Sequence, residues 1–483
     1  MSRPVRKVSV AVVSWNGRRH LETLLPALAA QDDPGVPFEV LLLDNGSRDG
    51  TAGWVRERFP RVRLVESAVN LGFCAGNGRL VEAAEGDAVA FLNNDTRPRP
   101  GWLAALVDAL AAAPDDVAAV SGMIVDWEGE RLDFARGVMT FDGHAFQVGF
   151  RRPLEGPRAA ELPADGAELP FACGGNMLVR RDAFRAAGGF DADYFAYLED
   201  VDLGWRLWAG GERIVFAREA VVHHRSSATS DLLGLFNRGF LFERNAFLTV
   251  AKNYEDGLWE RMMPAVMLTL THRTQHLLVD ANPGGAALAL DPYAGTIADT
   301  AAGRSREVGA TGEAGPGAET GAGHVEGTAA QSAGAPPAEP PARLRDLPER
   351  WRRYGTVELA RRLADRVRRE IAARRGRAAG AAGAAGAGAT GTTLTDERTV
   401  AQLRAVSYLL GHLDELAEKR RVVQARRRVP DREILARFPP WLVPTYPGDA
   451  ELFASPGFRA WLPAEPRLVE ARLDEVMEVG GGG

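Results

Sequence analysis

The first 230 residues alternate short apolar runs with amphipathic stretches. Val8–Ser14 (VSVAVVS) is continuous and β-branched, as expected of a strand buried on both faces. Arg18–Ala30 then places Leu21, Leu24, Leu25 and Leu28 at helical spacing. Phe38–Leu43 predicts a second buried strand, Thr51–Phe59 a helix, Val62–Val65 a short strand, Phe73–Ala84 a helix and Ala88–Leu92 another buried strand. Regularity lapses from about Ile124 to Pro170 and returns at Phe171–Val179. Helices near Arg181–Ala187 and Glu199–Ala209 follow, then strands near Arg213–Phe216 and Ala220–His224. This order predicts an α/β layer with a mostly parallel central sheet. Ligands of such sheets sit beyond the carboxyl ends of the strands, where the polar clusters 44–49 and 93–95 fall.

The pattern changes after residue 230. Leu232–Leu278 is helical and moderately apolar. Asp299–Ala342 contains no Leu, Ile, Phe, Tyr or Trp and cannot bury a core, which predicts a disordered linker. The expected organisation is an α/β unit over 1–230, a helical extension over 231–298, the linker over 299–342 and an Arg-rich helix over 343–375. A flexible Ala/Gly tract over 376–393 and a helical C-terminal region with a tail over 394–483 complete it. Trp441, Phe453, Phe458 and Trp461 sit among prolines, so the tail is expected to dock.

Composition narrows the class. The chain of 483 residues is 46% apolar and 25% charged, which excludes a fibrous or wholly disordered protein. A net charge of −6 gives no global case for nucleic-acid binding. Two cysteines, Cys74 and Cys173, exclude a disulfide framework and a Cys-rich zinc site and point to a reducing, cytoplasmic compartment. The run Val8–Val13 is too short for a signal-peptide core. Met262–Val279 is interrupted by His272, Arg273, Gln275 and His276, so it reads as a buried or amphipathic helix.

Four clusters carry candidate chemistry. Asp95 ends a buried strand, where a carboxylate suits a hard divalent cation holding a diphosphate, although a strand-end Asp also commonly caps the next helix. Glu199, Asp200 and Asp202 open a helix, where the dipole favours negative charge. Asp202 and Arg206 are spaced for an ion pair, which leaves Glu199 and Asp200 for work such as general-base catalysis. His223 and His224 end a β-branched strand and add an imidazole suited to Mn²⁺ or Mg²⁺. Asp44–Thr51 reads locally as a turn and helix cap, and Asn70 and Gly72 open a segment where backbone can approach a ligand closely. GxGxxG, Walker A, HExxH and GxSxG are absent.

In order along the chain stand VVSWNG (12–17), LLLDNGSRDGT (41–51), NLGFCAGNG (70–78), FLNNDTRP (91–98), CGGNMLVRRDAF (173–184), GGFDADYFAYLEDVDLGWRLWAGG (188–211) and VVHHRSS (221–227). On these seven motifs the chain resembles the family 2 glycosyltransferases over residues 6–255, especially the bacterial rhamnosyl- and galactofuranosyl-transferases. The resemblance implies a GT-A fold and inverting transfer of a sugar from a nucleoside diphosphate to a hydroxyl of a glycan or lipid-linked acceptor in cell-wall or surface polysaccharide synthesis. Val13, Ser14, Trp15 and Asp44 match the base and ribose site. Asn93-Asn94-Asp95 stands where the family has DxD, which leaves Asp95 as the metal-binding carboxylate with Asn93 and Asn94 beside the donor. Asp200, next to Glu199, matches the catalytic base. His224 best matches the metal-ligand His, with His223 as the alternative. Gly174 and Gly175 allow close approach of donor and acceptor. The implied cofactor is Mn²⁺ or Mg²⁺. The Arg-rich C-terminal helices are expected either to touch anionic lipid at the inner face of the membrane or to pack as solvated faces on the catalytic unit. Nucleic acid is not expected as a partner. The rival readings are a non-catalytic nucleotide-sugar binding scaffold, favoured only by Asn93, a Rossmann oxidoreductase without its glycine fingerprint, and a nucleotidyltransferase without its basic Gly-rich loop.

Overall fold

The computed structural model describes residues 3–225, 234–282 and 394–477. The predicted linker, Arg-rich helix and Ala/Gly tract lie outside the described residues. Residues 1–282 and 394–483 belong to one compact unit.

That unit is built on nine strands: β1 (Val8–Ser14), β2 (Phe38–Asn45), β3 (Arg63–Ser67), β4 (Ala88–Leu92), β5 (Thr96–Pro98), β6 (Val117–Asp126), β7 (Leu132–Phe134), β10 (Asn176–Arg180) and β11 (Arg213–His224). They run in the order β3-β2-β1-β4-β10-β6-β11-β5, with β7 on β6. Six of them, β1–β4, β6 and β11, share one direction, while β5, β7 and β10 run against it. This is the mostly parallel mixed sheet of the GT-A fold. A separate hairpin pairs β8 (Gly137–Met139) with β9 (Ala145–Gln147) inside the stretch that has no regular pattern in sequence.

The apolar runs become the central strands for the expected reason. Val8, Val10, Ala11 and Val12 of β1 are all fully buried, because helices cover both faces of the sheet. Helix α1 (Arg18–Ala29) turns Leu21, Leu24, Leu25 and Leu28 inward. Helices α2 (Thr51–Arg58), α3 (Gly72–Ala83) and α4 (Trp102–Ala112) follow their strands in turn, and α5 (Arg181–Ala187) and α6 (Glu199–Ala209) follow β10.

The two strands read near 213–216 and 220–224 are one strand with a bulge between Ala217 and Val221. The side chain of Asn176 fills the irregularity. Its amide donates to Ala220 O at 2.9 Å and Met123 O at 3.1 Å, and its oxygen accepts from Trp102 Nε1 at 2.7 Å. The bulge re-aims the last turn of β11, which ends at His224.

The helical extension comprises α7 (Gly234–Asn253) and α8 (Asp256–Asp280). After the undescribed stretch come α9 (Glu397–Gly411), α10 (Leu413–Arg426) and α11 (Asp431–Arg437). The single helical stretch read over 396–428 is thus broken at His412. The tail docks on the catalytic unit. Phe453 and Phe458 pack edge-on against Phe141 at ring distances of 5.8 and 6.1 Å. Beside them lies a buried ionic network. Arg273 holds Asp449 with two bonds of 3.0 and 2.9 Å and Asp142 with one of 2.9 Å. His144 bridges Asp142 and Glu243, and Gln402 donates to Glu243. Such a network adds little net stability over an apolar core, but losing one member leaves its partners buried and uncompensated.

Candidate active site

Period-two alternation decides which strand-end residues face the ligand crevice. Val13 and Trp15 line a cavity of about 560 Å³ at the carboxyl edge of the sheet, together with Asn45 and Asn70. Ser14 and Asp44 do not line it. They are register partners on β1 and β2, so both point to the other side. Ser14 Oγ accepts from Asn94 Nδ2 at 3.1 Å, and Asp44 Oδ1 accepts from Ser47 N at 3.0 Å. Asn45 occupies the position on β2 that faces the cavity. Its amide donates to Asn70 Oδ1 at 2.9 Å, and Asn70 Oδ1 also accepts from Gly72 N. Gly72 has φ 78°, and a Cβ there would sit 2.5 Å from the Phe195 ring. The N–H groups of Phe73 and Cys74 grip the carbonyl of Phe195 at 2.7 and 3.1 Å.

The turn after β4 and the start of β10 meet because the two strands are antiparallel. Asn93 N donates to Gly175 O, and a Cβ on Gly175 would lie 2.7 Å from the Asn93 amide. Asn93, Asn94, Asp95, Gly174 and Gly175 all line the cavity.

Asp95 is 5% exposed and lies 3.3 Å from His224 Nε2. His224 Nδ1 donates to Asp133 Oδ2 at 2.7 Å. Burial opposes charge on His224, but Asp133 and Asp95 more than offset it and raise its pKa to about 10. Burial likewise pushes Asp95 up, and His224 brings it below the usual carboxylate range. His223 points away. Its Nδ1 lies 3.1 Å from Trp127 O, among Arg97 and Arg99. Among the described residues, no three carboxylate, imidazole or thiol groups converge as metal ligands. Asp95 and His224 place one carboxylate beside one imidazole, and Asp133 fixes the imidazole's other nitrogen, an arrangement of the kind that orients metal-binding histidines.

Glu199 and Asp200 open α6 behind a loop with unusual backbone. Phe195, Tyr197 and Leu198 have φ of 61°, 70° and 62°. Asn245 of α7 holds this loop by donating to the carbonyls of Tyr194, Ala196 and Tyr197, and Arg244 bonds the carbonyls of Asp193 and Tyr194. Backbone strain of this kind persists only where surrounding structure enforces it. Asp200 Oδ2 accepts from Gly174 N at 3.1 Å and Oδ1 from Val201 N at 2.9 Å. Burial raises Asp200 despite these bonds, and it raises Glu199 further, with the Asp200 charge adding to the effect. Glu199 Oε2 has no partner among the described residues. Asp202, by contrast, is fully occupied by Arg206 at 2.7 Å, Lys252 at 2.9 Å and Asn253 at 2.8 Å.

The site also contains residues that the sequence did not single out: Asp133, Gln147 and Met477. Motif order carries no sign of Asp133, because it approaches His224 only through the pairing of β7 with β6.

The family model for glycosyl transferase family 2 matches residues 9–188. An N-acetylglucosaminyl-diphospho-decaprenol L-rhamnosyltransferase of Mycobacterium tuberculosis is 35% identical over 238 residues, spanning 46% of this chain and 76% of that protein. The O-antigen biosynthesis protein RfbC of Myxococcus xanthus is 33% identical over 240 residues, 47% of this chain and 18% of that protein. Among solved structures, GalNAc-T7 with UDP, GalNAc and Mn²⁺ aligns at 15% identity and a TM-score of 0.42, covering 55% of this chain and 52% of that one. With the motifs in order and the rhamnosyltransferase matched over three quarters of its length, the chain is a glycosyltransferase and belongs to glycosyl transferase family 2.

Proposed function

We propose that the protein transfers a sugar, with inversion, from a nucleoside-diphosphate donor to a hydroxyl of a glycan or lipid-linked acceptor. The observation that carries this reading is the placement of Asp200. It is a buried carboxylate of raised proton affinity, held by the Gly174 and Val201 amides, in the same cavity as Asp95 and His224. Val13, Trp15, Asn45 and Asn70 hold the nucleoside end of the donor. Asp95 and His224 hold a divalent cation, Mn²⁺ or Mg²⁺, with Asp133 fixing the His224 ring. When bound, that cation neutralises charge on the departing diphosphate. Asp200 accepts the proton of the acceptor hydroxyl as the hydroxyl oxygen bonds to the anomeric carbon opposite the leaving group. Burial and the neighbouring Asp200 charge push the Glu199 carboxyl up, so of the two adjacent carboxyls Glu199 holds its proton more tightly. Similarity to the rhamnosyltransferase and to RfbC supports a polyprenyl-diphosphate-linked sugar as acceptor and a place in cell-wall or surface polysaccharide synthesis.

No helix among the described residues is long and apolar enough to cross a membrane. The basic end of α10 is engaged within the chain: Lys419 bonds Asp191 and Asp193, Arg420 bonds Asp256, and Arg427 bonds Asp431. The test of the reading is Asp200→Asn. Turnover is expected to fall about 1,000-fold or more while donor affinity, read by calorimetry, changes less than about twofold. Full activity in that variant removes Asp200 as the base.

A further inference from the structure

One wall of the cavity is supplied by a segment far along the chain. The hairpin strand β9 brings Phe146 and Gln147 to the cavity. Gln147 Nε2 lies 3.5 Å from Asp133 Oδ1, and the other oxygen of that carboxylate accepts a hydrogen bond from His224 Nδ1. Two residues beyond Gln147, Gly149 N donates to Val476 O at 2.7 Å. Arg152 Nη2 donates to Asp474 O at 3.1 Å and Glu475 O at 2.7 Å. These bonds seat the short helix Leu473–Val476, whose own start is closed by Arg472 N donating to Glu475 Oε2 at 2.8 Å. Val476 is 2% exposed, and Met477 reaches the cavity. The turn that makes the contact holds Gly149 at φ 78° and Arg151 at φ 62°, so non-glycine backbone is kept in the left-handed region at the docking point.

The cavity lining is mixed in chemistry. Asn45, Asn70, Asn93 and Asp95 are polar, and Phe146, Tyr197, Phe242 and Met477 are apolar, with Tyr197 stacked on Phe242 at 4.6 Å. Tyr197 stands three residues before Asp200, so an acceptor whose hydroxyl reaches Asp200 has apolar side chains available to its less polar part. Aromatic rings suit the faces of a sugar, and a thioether adapts to an irregular apolar neighbour.

We infer that the segment Leu473–Met477 is part of the acceptor site. In this view Met477 contacts the acceptor where its sugar joins an apolar aglycone, and Arg152 is the positioning residue that holds the segment there. The inference rests on the transferase reading given above.

The experiment uses the full chain with a panel of nucleotide sugars. Two acceptors are compared, an N-acetylglucosaminyl diphosphate carrying a short polyprenyl chain and the same sugar diphosphate carrying a methyl group. Met477→Asp is expected to raise the KM of the prenyl acceptor about tenfold and to erase its advantage over the methyl acceptor, with donor KM within about twofold. Arg152→Ala is expected to move the same two quantities in the same direction, and Met477→Ala to do so more weakly. The milder variants report even if Met477→Asp folds poorly. Transfer by the wild-type chain with acceptor KM and discrimination unchanged in Arg152→Ala and Met477→Ala overturns the inference alone. A rise in donor KM instead of acceptor KM also overturns it. A wild-type chain that transfers no sugar overturns the transferase reading and the inference together, and that result is seen before any variant is made.

Discussion

Replacing His144 with Gln should flatten the dependence of stability on pH between neutral and alkaline conditions. His144 is 6% exposed, with Nδ1 3.2 Å from Asp142 Oδ2 and Nε2 3.1 Å from Glu243 Oε1. Burial alone lowers the proton affinity of an imidazole, but these two carboxylates reverse that and raise its pKa from 6.5 to about 9. The folded protein therefore keeps a proton that the unfolded chain releases near pH 6.5. The resulting stabilisation is fully present below 6.5 and is lost as pH rises through 9. Each pH unit between those values is worth about 1.4 kcal/mol, so the interval amounts to about 3 kcal/mol, roughly a hundredfold in the unfolding equilibrium. Gln fills a similar volume but cannot take up the proton. The assay is urea unfolding followed by tryptophan fluorescence at about pH 6, 7.5 and 9.5 for both proteins. Other groups that titrate in this range are common to the two chains, so the difference between the curves isolates His144. The wild type should lose stability over this interval about 3 kcal/mol faster than His144→Gln. Parallel curves would refute the reasoning and would mean that His144 is neutral between its two carboxylates.

Asp133→Asn should leave the Asp95 and His224 positions intact but weaken Mn²⁺ binding about 10–100-fold, since outer-sphere carboxylates tune ligand basicity to that extent. Electron paramagnetic resonance of bound Mn²⁺ reads this without turnover, with Asp95→Ala as the more severe comparison, and equal affinity in all three proteins would remove the metal role. Gly72→Ala places a methyl 2.5 Å from the Phe195 ring at a φ of 78°. It should cost about 1–3 kcal/mol in thermal unfolding, and an unchanged midpoint would show that the loop carrying Phe195 yields freely.

Much of the catalytic half is legible in the sequence because its signals are local. Strands β1, β2 and β4 are continuous apolar runs, and the residues that follow them fall at the crevice by the geometry of a parallel sheet. The side-chain directions at Ser14 and Asp44 have an equally local cause: counting by two from Val13 passes over Ser14 and selects Trp15. Other features had no local signal. Asp133 meets His224 across 91 positions, and Arg152 meets Glu475 across 323. No spacing rule reaches that far, and the stretch carrying Asp133, Phe146 and Gln147 lacks regular periodicity because its short strands are fixed by contacts made elsewhere. The docked tail was legible only as aromatic residues among prolines, which predicts burial but not the surface that buries them.

Asn282 has a consequence for how the protein is made. Its side chain accepts from Thr395 N at 2.9 Å and Asp396 N at 3.2 Å and donates to Thr399 Oγ1 at 2.9 Å, so the two ends of the intervening stretch are stitched together at one point. Roughly 110 residues separate them. Because closure entropy of a loop grows only logarithmically with its length, doubling such a separation costs about 0.6 kcal/mol. Translation feels the length linearly. At about 5–20 residues per second, the surfaces of α7 and α8 emerge roughly 5–20 seconds before α9 arrives to cover them. During that interval Glu243 and Arg273 are without Gln402 and Asp449, the partners they hold in the folded unit.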